Sequence, residues 1–148
     1  MNVEEVIKRA KKLSLETKTI IHIELVSNKI KEVIASALKP HEVSLPQFNV
    51  LRILRGQKGK PANLSTLNER MVTKMSNTTR LVDKLLNKGY VSRCVCESNR
   101  RKVEIFITEN GMEALLEMDK AVYEAEQKIV KDLSESELDK LNELLDKF

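Results

Sequence analysis

At Gly89 the apolar residues change from helical to alternating spacing, and no other feature limits the possible folds of this chain so sharply. Before it, MSNTTRLVDKLLNKG sets Met75, Thr78, Val82, Leu85 and Leu86 on one side of a helix that Gly89 can stop. After it, YVSRCVCE and KVEIFIT are β-rich, and Val103, Ile105 and Ile107 alternate with Glu104, Phe106 and Thr108. Two such stretches around a polar, basic connection read as an antiparallel hairpin. A shorter helix comes earlier, after Pro61, with Asn63 as its cap and Leu64, Leu67 and Met71 inward. Val72, Thr73 and Lys74 link the two helices, which makes the pair a helix-turn-helix arrangement.

The side of the second helix away from its apolar stripe displays Asn77, Arg80 and Lys84 at spacings of three and four, with Ser76 and Thr79 near its start. Asn99, Arg100, Arg101 and Lys102 fall at the tip of the hairpin. Charge is distributed to match: residues 74–102 hold eight Lys/Arg against two Asp/Glu, while residues 103–148 hold five against thirteen. A basic centre of this density is the footprint of a face that meets a polyanion. An arginine at a tip beside an exposed helix also suits the narrow minor groove, where negative potential is concentrated.

On the N-terminal side, Val6, Ala10, Leu13, Ile20, Ile21, Leu25, Ile30, Val33 and Ile34 predict one amphipathic helix over residues 3–38, ended by Pro40. So long a helix exceeds what a small domain needs to cover its own core, and part of its stripe is expected to meet a second chain. The string SLPQ opens the next helix, with Ser44 and Gln47 as a capping box and Pro46 in the first turn, and that helix stops near Gly56. Helical spacing returns from Thr108, and a second capping box, Ser134 with Glu137, restarts it before Leu138, Leu141, Leu144, Leu145 and Phe148. The expected order is three helices, an exposed helix, a hairpin and two terminal helices, a mainly α chain with a small β-hairpin (α+β). The 148 residues suit a single domain, and no apolar stretch is long enough to span a membrane, so a cytoplasmic protein is expected.

Catalysis is not expected. His22 and His41 lie on different elements, and there is neither a Gly-rich phosphate loop nor a nucleophile with an evident base. His41 beside Glu42, with Glu109, Glu113 and Glu117 on a later helix, falls short of the ligand set a metal requires, so no metal or cofactor is expected. Cys94 and Cys96 flank Val95 on one strand, where small apolar packing is the default expectation, although the cations nearby, Arg93 among them, are of the kind that activate a thiol toward oxidants.

Together, SLPQFNVLRIL, NLSTLNERM, SNTTRLVDKLLNKGYVSR and NRRKVEIFITENG resemble the MarR family of bacterial transcriptional regulators, closely over residues 44–111. The resemblance implies a homodimeric winged helix-turn-helix protein with long N- and C-terminal dimerisation helices. Residues 1–40 and 109–148 would form the dimer region, and 44–108 the DNA-binding lobe. It also implies a recognition helix in the major groove of an operator, a wing on the minor groove, repression more often than activation, and in many members a small-molecule effector bound between dimer region and lobe. Ser76, Asn77, Thr79 and Arg80 take the start of the recognition helix, and Arg101 the place of the wing arginine. Asn99 stands where the family usually has aspartate.

The chemistry agrees with the resemblance. Arg80 can address a guanine edge and Asn77 an adenine edge, each worth about 1–3 kcal/mol in discrimination. Lys74, Lys84 and Lys102 suit phosphates. A dimer would present two such helices about 34–36 Å apart to a pseudo-palindrome. The rival expectation is a winged-helix module that binds protein and not DNA, and it fits the cationic tip less well than an apolar one.

Overall fold

The computed structural model describes residues 3–6, 8, 13–72, 77–96 and 99–148, leaving out the side chains of 96 and 99–102. Helix α1 spans Val3–Val6 and α2 spans Leu15–Leu38, so the single helix expected over residues 3–38 is divided. Ser14 divides it. Its backbone is extended (φ −62°, ψ 157°), and its hydroxyl accepts from the Thr17 N–H at 3.3 Å, a local bond that competes with helix continuation. Helix α1 packs on α2: Val3 is fully buried and Lys18 Nζ lies 3.0 Å from Glu4 Oε2.

A 3-10 turn, Lys39–His41, carries Pro40 and ends α2. Helix α3, Leu45–Gly56, begins with the expected capping box: the Ser44 N–H donates to Gln47 Oε1 at 2.8 Å and the Gln47 N–H to Ser44 Oγ at 3.4 Å. Helix α4, Leu64–Arg70, is capped by Asn63, whose Oδ1 accepts from the Thr66 N–H at 2.9 Å. Then follow α5, Thr78–Asn87, strands β1, Val91–Cys96, and β2, Asn99–Ile107, and helices α6, Glu109–Val130, and α7, Glu135–Leu145.

The strands pair antiparallel with Val91 opposite Ile107 through Val95 opposite Val103, after which Cys96 faces Asn99. The register therefore slips, and Arg100–Lys102 are extra residues on β2, a bulge of the kind that bends and twists a ribbon. A third backbone segment joins on the free edge of β2: the Ala62 N–H donates to the Ile105 carbonyl at 3.0 Å, and the Ile105 N–H to the Ala62 carbonyl at 2.8 Å. One bridge between Pro61 and Asn63 is too short to leave a strand pattern in the sequence.

One core joins these elements. Leu38, Phe48, Leu51, Leu67, Leu85, Ile105, Leu115 and Met118 are all buried, drawn from α2, α3, α4, α5, β2 and α6. Each such side chain contributes about 1.5–3 kcal/mol on burial. Helix α6 lies along both α2 and α3, and the Arg55 guanidinium of α3 pairs with the Asp119 carboxylate of α6. No residue of α7 is buried.

Candidate nucleic-acid interface

Helix α5 buries Thr78, Val82 and Leu85 and exposes Thr79, Arg80, Asp83 and Lys84. That division follows from its period, since the buried positions recur at three and four. The Thr78 hydroxyl donates to Asn68 Oδ1, which ties α5 to α4. Asn77, the residue before the helix, caps it: Asn77 Oδ1 accepts from the Arg80 N–H at 3.2 Å. The cap also bears on recognition, because a bidentate contact to adenine would require Oδ1 to accept a second hydrogen bond while Nδ2 donates. Among the described residues, neither Arg80 nor Lys84 has an ion-pair partner, so the outward face of α5 keeps its positive charge. Lys74, Met75 and Ser76 lie outside the described residues.

The hairpin stands beside this helix. Arg93 Nη1 of β1 lies 3.4 Å from Asp83 Oδ1 of α5, a tether between two half-exposed side chains. Asn99, Arg100, Arg101 and Lys102 occupy the far end of β2, where the register slips; their side chains, and that of Cys96, are outside the described part.

At its other end the hairpin is anchored by backbone. Gly89 (φ +71°) ends α5: its N–H donates to the Leu86 carbonyl at 2.9 Å and the Tyr90 N–H donates to the Leu85 carbonyl at 3.0 Å, the paired bonds of a Schellman motif. Thr108, the N-cap of α6, then bonds to the same segment through its own N–H and hydroxyl. None of these anchoring contacts was legible beforehand except the two ends themselves, the stop at Gly89 and the helix start at Thr108.

Other candidates have different surroundings. Cys94 is exposed, with Sγ 3.9 Å from Glu104 Oε2, and does not pack among apolar groups as expected. The reason is that the outer part of a two-stranded ribbon projects beyond the core; Val95 next to it is 56% exposed. His41 sits half-buried in the 3-10 turn, while the Glu42 carboxylate is 3.4 Å from Lys88 Nζ at the end of α5. No described helix is long and apolar enough to cross a membrane.

Residues 43–103 match the MarR family, from the residue before the α3 capping box to the middle of β2. The chain is 38% identical over 70 residues to the uncharacterized HTH-type transcriptional regulator YfiV of Bacillus subtilis (strain 168), across 47% of this chain and 42% of that protein. It is 27% identical over 109 residues to the HTH-type transcriptional repressor IacR of Pseudomonas putida, across 74% of this chain and 64% of that protein. It thus spans less than two thirds of the length of either relative. A mutant of MarR from Escherichia coli, solved in complex with operator DNA, has the same fold: TM-score 0.76 at 23% identity, over 99% of this chain and 98% of that one. The MarR-family match covers residues 43–103, which contain the helix-turn-helix, and the fold is shared along nearly the whole chain: in that segment, and in its fold, the chain is similar to the MarR family.

Proposed function

We propose that the chain is a sequence-specific transcriptional regulator, a repressor, that binds a pseudo-palindromic operator as a cytoplasmic homodimer and is released by a small-molecule effector. The outward face of α5 carries this proposal. It keeps Arg80 and Lys84 without acidic partners among the described residues, beside a hairpin whose tip holds three consecutive cations. The MarR mutant of the same fold was crystallised on operator DNA, and IacR is named a repressor.

Pairing of two chains is supported by apolar surface that one chain leaves open. Leu15 and Ile20 on α2, Tyr123 on α6, and Leu141, Leu144 and Phe148 at the C-terminus are all exposed. Arg80, exposed on α5, carries the paired donors that suit a guanine edge, and Lys84, exposed on the same helix, carries the charge that suits a phosphate. Asn77 and Thr79 flank Arg80 on the approach to the groove. Lys74, Ser76, Asn99, Arg100, Arg101 and Lys102 complete the proposed contact set from the sequence. An effector would act by binding more tightly to a dimer whose α5 helices are wrongly spaced for DNA.

Arg80→Ala is expected to weaken binding to the operator selected from a random duplex pool by about 1–3 kcal/mol while leaving non-specific binding nearly unchanged. Lys84→Ala should weaken both alike and lower the salt dependence. Fluorescence anisotropy across a salt series measures both, and equal losses for Arg80→Ala on the two DNAs would sink the base-reading role.

A further inference from the structure

Thr108 sits where α5, the hairpin and α6 converge. Its N–H donates to the Tyr90 carbonyl at 3.0 Å, its hydroxyl donates to the Gly89 carbonyl at 2.6 Å, and the same oxygen accepts from the Gly111 N–H at 3.0 Å. The two carbonyls belong to the segment that closes α5, and Gly111 belongs to the first turn of α6. Gly111 makes the approach possible, because a Cβ there would lie 2.0 Å from the Tyr90 oxygen. One half-buried side chain therefore joins the end of the exposed helix to the base of the hairpin and to the helix behind it.

The position matters because the hairpin is a lever. From Ile107 to Val103 the regularly paired part of the strand extends about 13 Å, so a tilt of about 10° at its base moves its outer end by about 2 Å and the residues beyond it further. The Arg93–Asp83 pair also links β1 to α5, but its side chains are 48% and 51% exposed, and salt screens such a contact. The bonds that Thr108 makes to backbone groups are fixed in direction by those groups and uncharged, so salt does not screen them, and the one from Gly111 is partly buried.

We propose that Thr108 is a positioning residue for DNA recognition: its bond to the Gly89 carbonyl sets the pitch of the hairpin against α5, so that tip and helix engage neighbouring grooves at once. The proposal rests on the DNA-binding function given above. Thr108→Asp separates the two jobs of the side chain, since a carboxylate still accepts from Gly111 as an N-cap but has no proton for Gly89. Thr108→Val, of the same shape without hydrogen bonding, is measured alongside, and circular dichroism selects the folded variants for comparison.

The test is a double-mutant cycle with Arg101→Ala in the full chain, read by anisotropy on the selected operator. In the native background Arg101→Ala should weaken binding by about tenfold or more. In the Thr108→Asp or Thr108→Val background it should cost about twofold or less, because a misplaced tip has little contact to lose. Thr108→Ser, which keeps the hydroxyl, should restore the full dependence on Arg101. Equal factors in native and substituted backgrounds would overturn the positioning role, as would a native chain that binds its operator without any dependence on Arg101. A native chain that binds no duplex at low salt would overturn the DNA-binding function itself, and this proposal with it.

Discussion

Two glycines of one chain have opposite requirements, and only their surroundings tell them apart. Gly111 lies in the first turn of α6, where a Cβ would meet the Tyr90 oxygen at 2.0 Å, the Tyr90 carbonyl carbon at 2.9 Å and Ile107 Cγ1 at 3.0 Å. The obstacle is backbone, which has no alternative rotamer. Gly111→Ala should therefore cost about 1–3 kcal/mol, seen as a lower denaturation midpoint at unchanged slope. Gly56 ends α3 with nothing within 4 Å of its would-be Cβ, so Gly56→Ala should be neutral or stabilise by up to about 1 kcal/mol. A Gly111→Ala protein as stable as the parent would mean that α6 can move away from Tyr90, and the tight junction described above would be wrong. Asn77 shows the same limit on reading residues singly: its place before Thr78 was visible, but its use as the cap of α5 depends on where the helix begins.

Among the elements, helix starts were the most legible feature. Ser44 with Gln47, Asn63, and Ser134 with Glu137 were all identifiable as caps, because a cap is decided within three or four residues. The last of these has a pH signature. The Glu137 carboxyl is held below its ordinary value chiefly by the Ser134 backbone N–H, 2.8 Å from Oε2, and secondarily by the Ser134 hydroxyl. A pKa lower in the folded helix than in the unfolded chain means that the box supports α7 above the unfolded value, and that this support fades as pH falls through the folded one. The Ser134 amide resonance should shift with an inflection on the acid side of an ordinary glutamate. Glu137→Gln keeps both hydrogen bonds without titrating, and should abolish the inflection; its persistence would assign the titration elsewhere. What failed at this scale was length. The pattern over residues 3–38 reads as one helix, whereas Ser14 caps a new helix at Leu15, and periodicity does not register a cap that interrupts the backbone but not the apolar spacing.

For the whole molecule, the open question of the single chain is the apolar surface of its C-terminus. Leu141 and Leu145 lie four residues apart on α7 and are 43% and 44% exposed, with Leu144 on the same side and the exposed Phe148 just past the helix end. A second copy is the proposed cover, and Leu141→Glu with Leu145→Glu should then halve the mass measured by light scattering and remove operator binding, while the lobe built on α3–α5 stays folded. A native protein that is already monomeric at micromolar concentration would end the paired-helix account of operator recognition. The acidic balance of residues 103–148 agrees with the proposed division, in which the terminal helices pair and the basic segment 74–102 meets phosphates.

By itself, the sequence determined the order of the elements, the helix-turn-helix pair, the stop at Gly89, the hairpin after it and the basic tip, because each rests on spacings of two to four residues or on a cap. Tertiary structure alone decided the Ala62–Ile105 bridge, the slip of register at Arg100–Lys102, the exposure of Cys94, and the links Thr108–Gly89 and Arg55–Asp119, which join residues 19 and 64 positions apart. Bonds over such separations have no period and no local composition. They exist only once the core has set α6 against α3 and the hairpin base, and so they become visible only when the chain is folded.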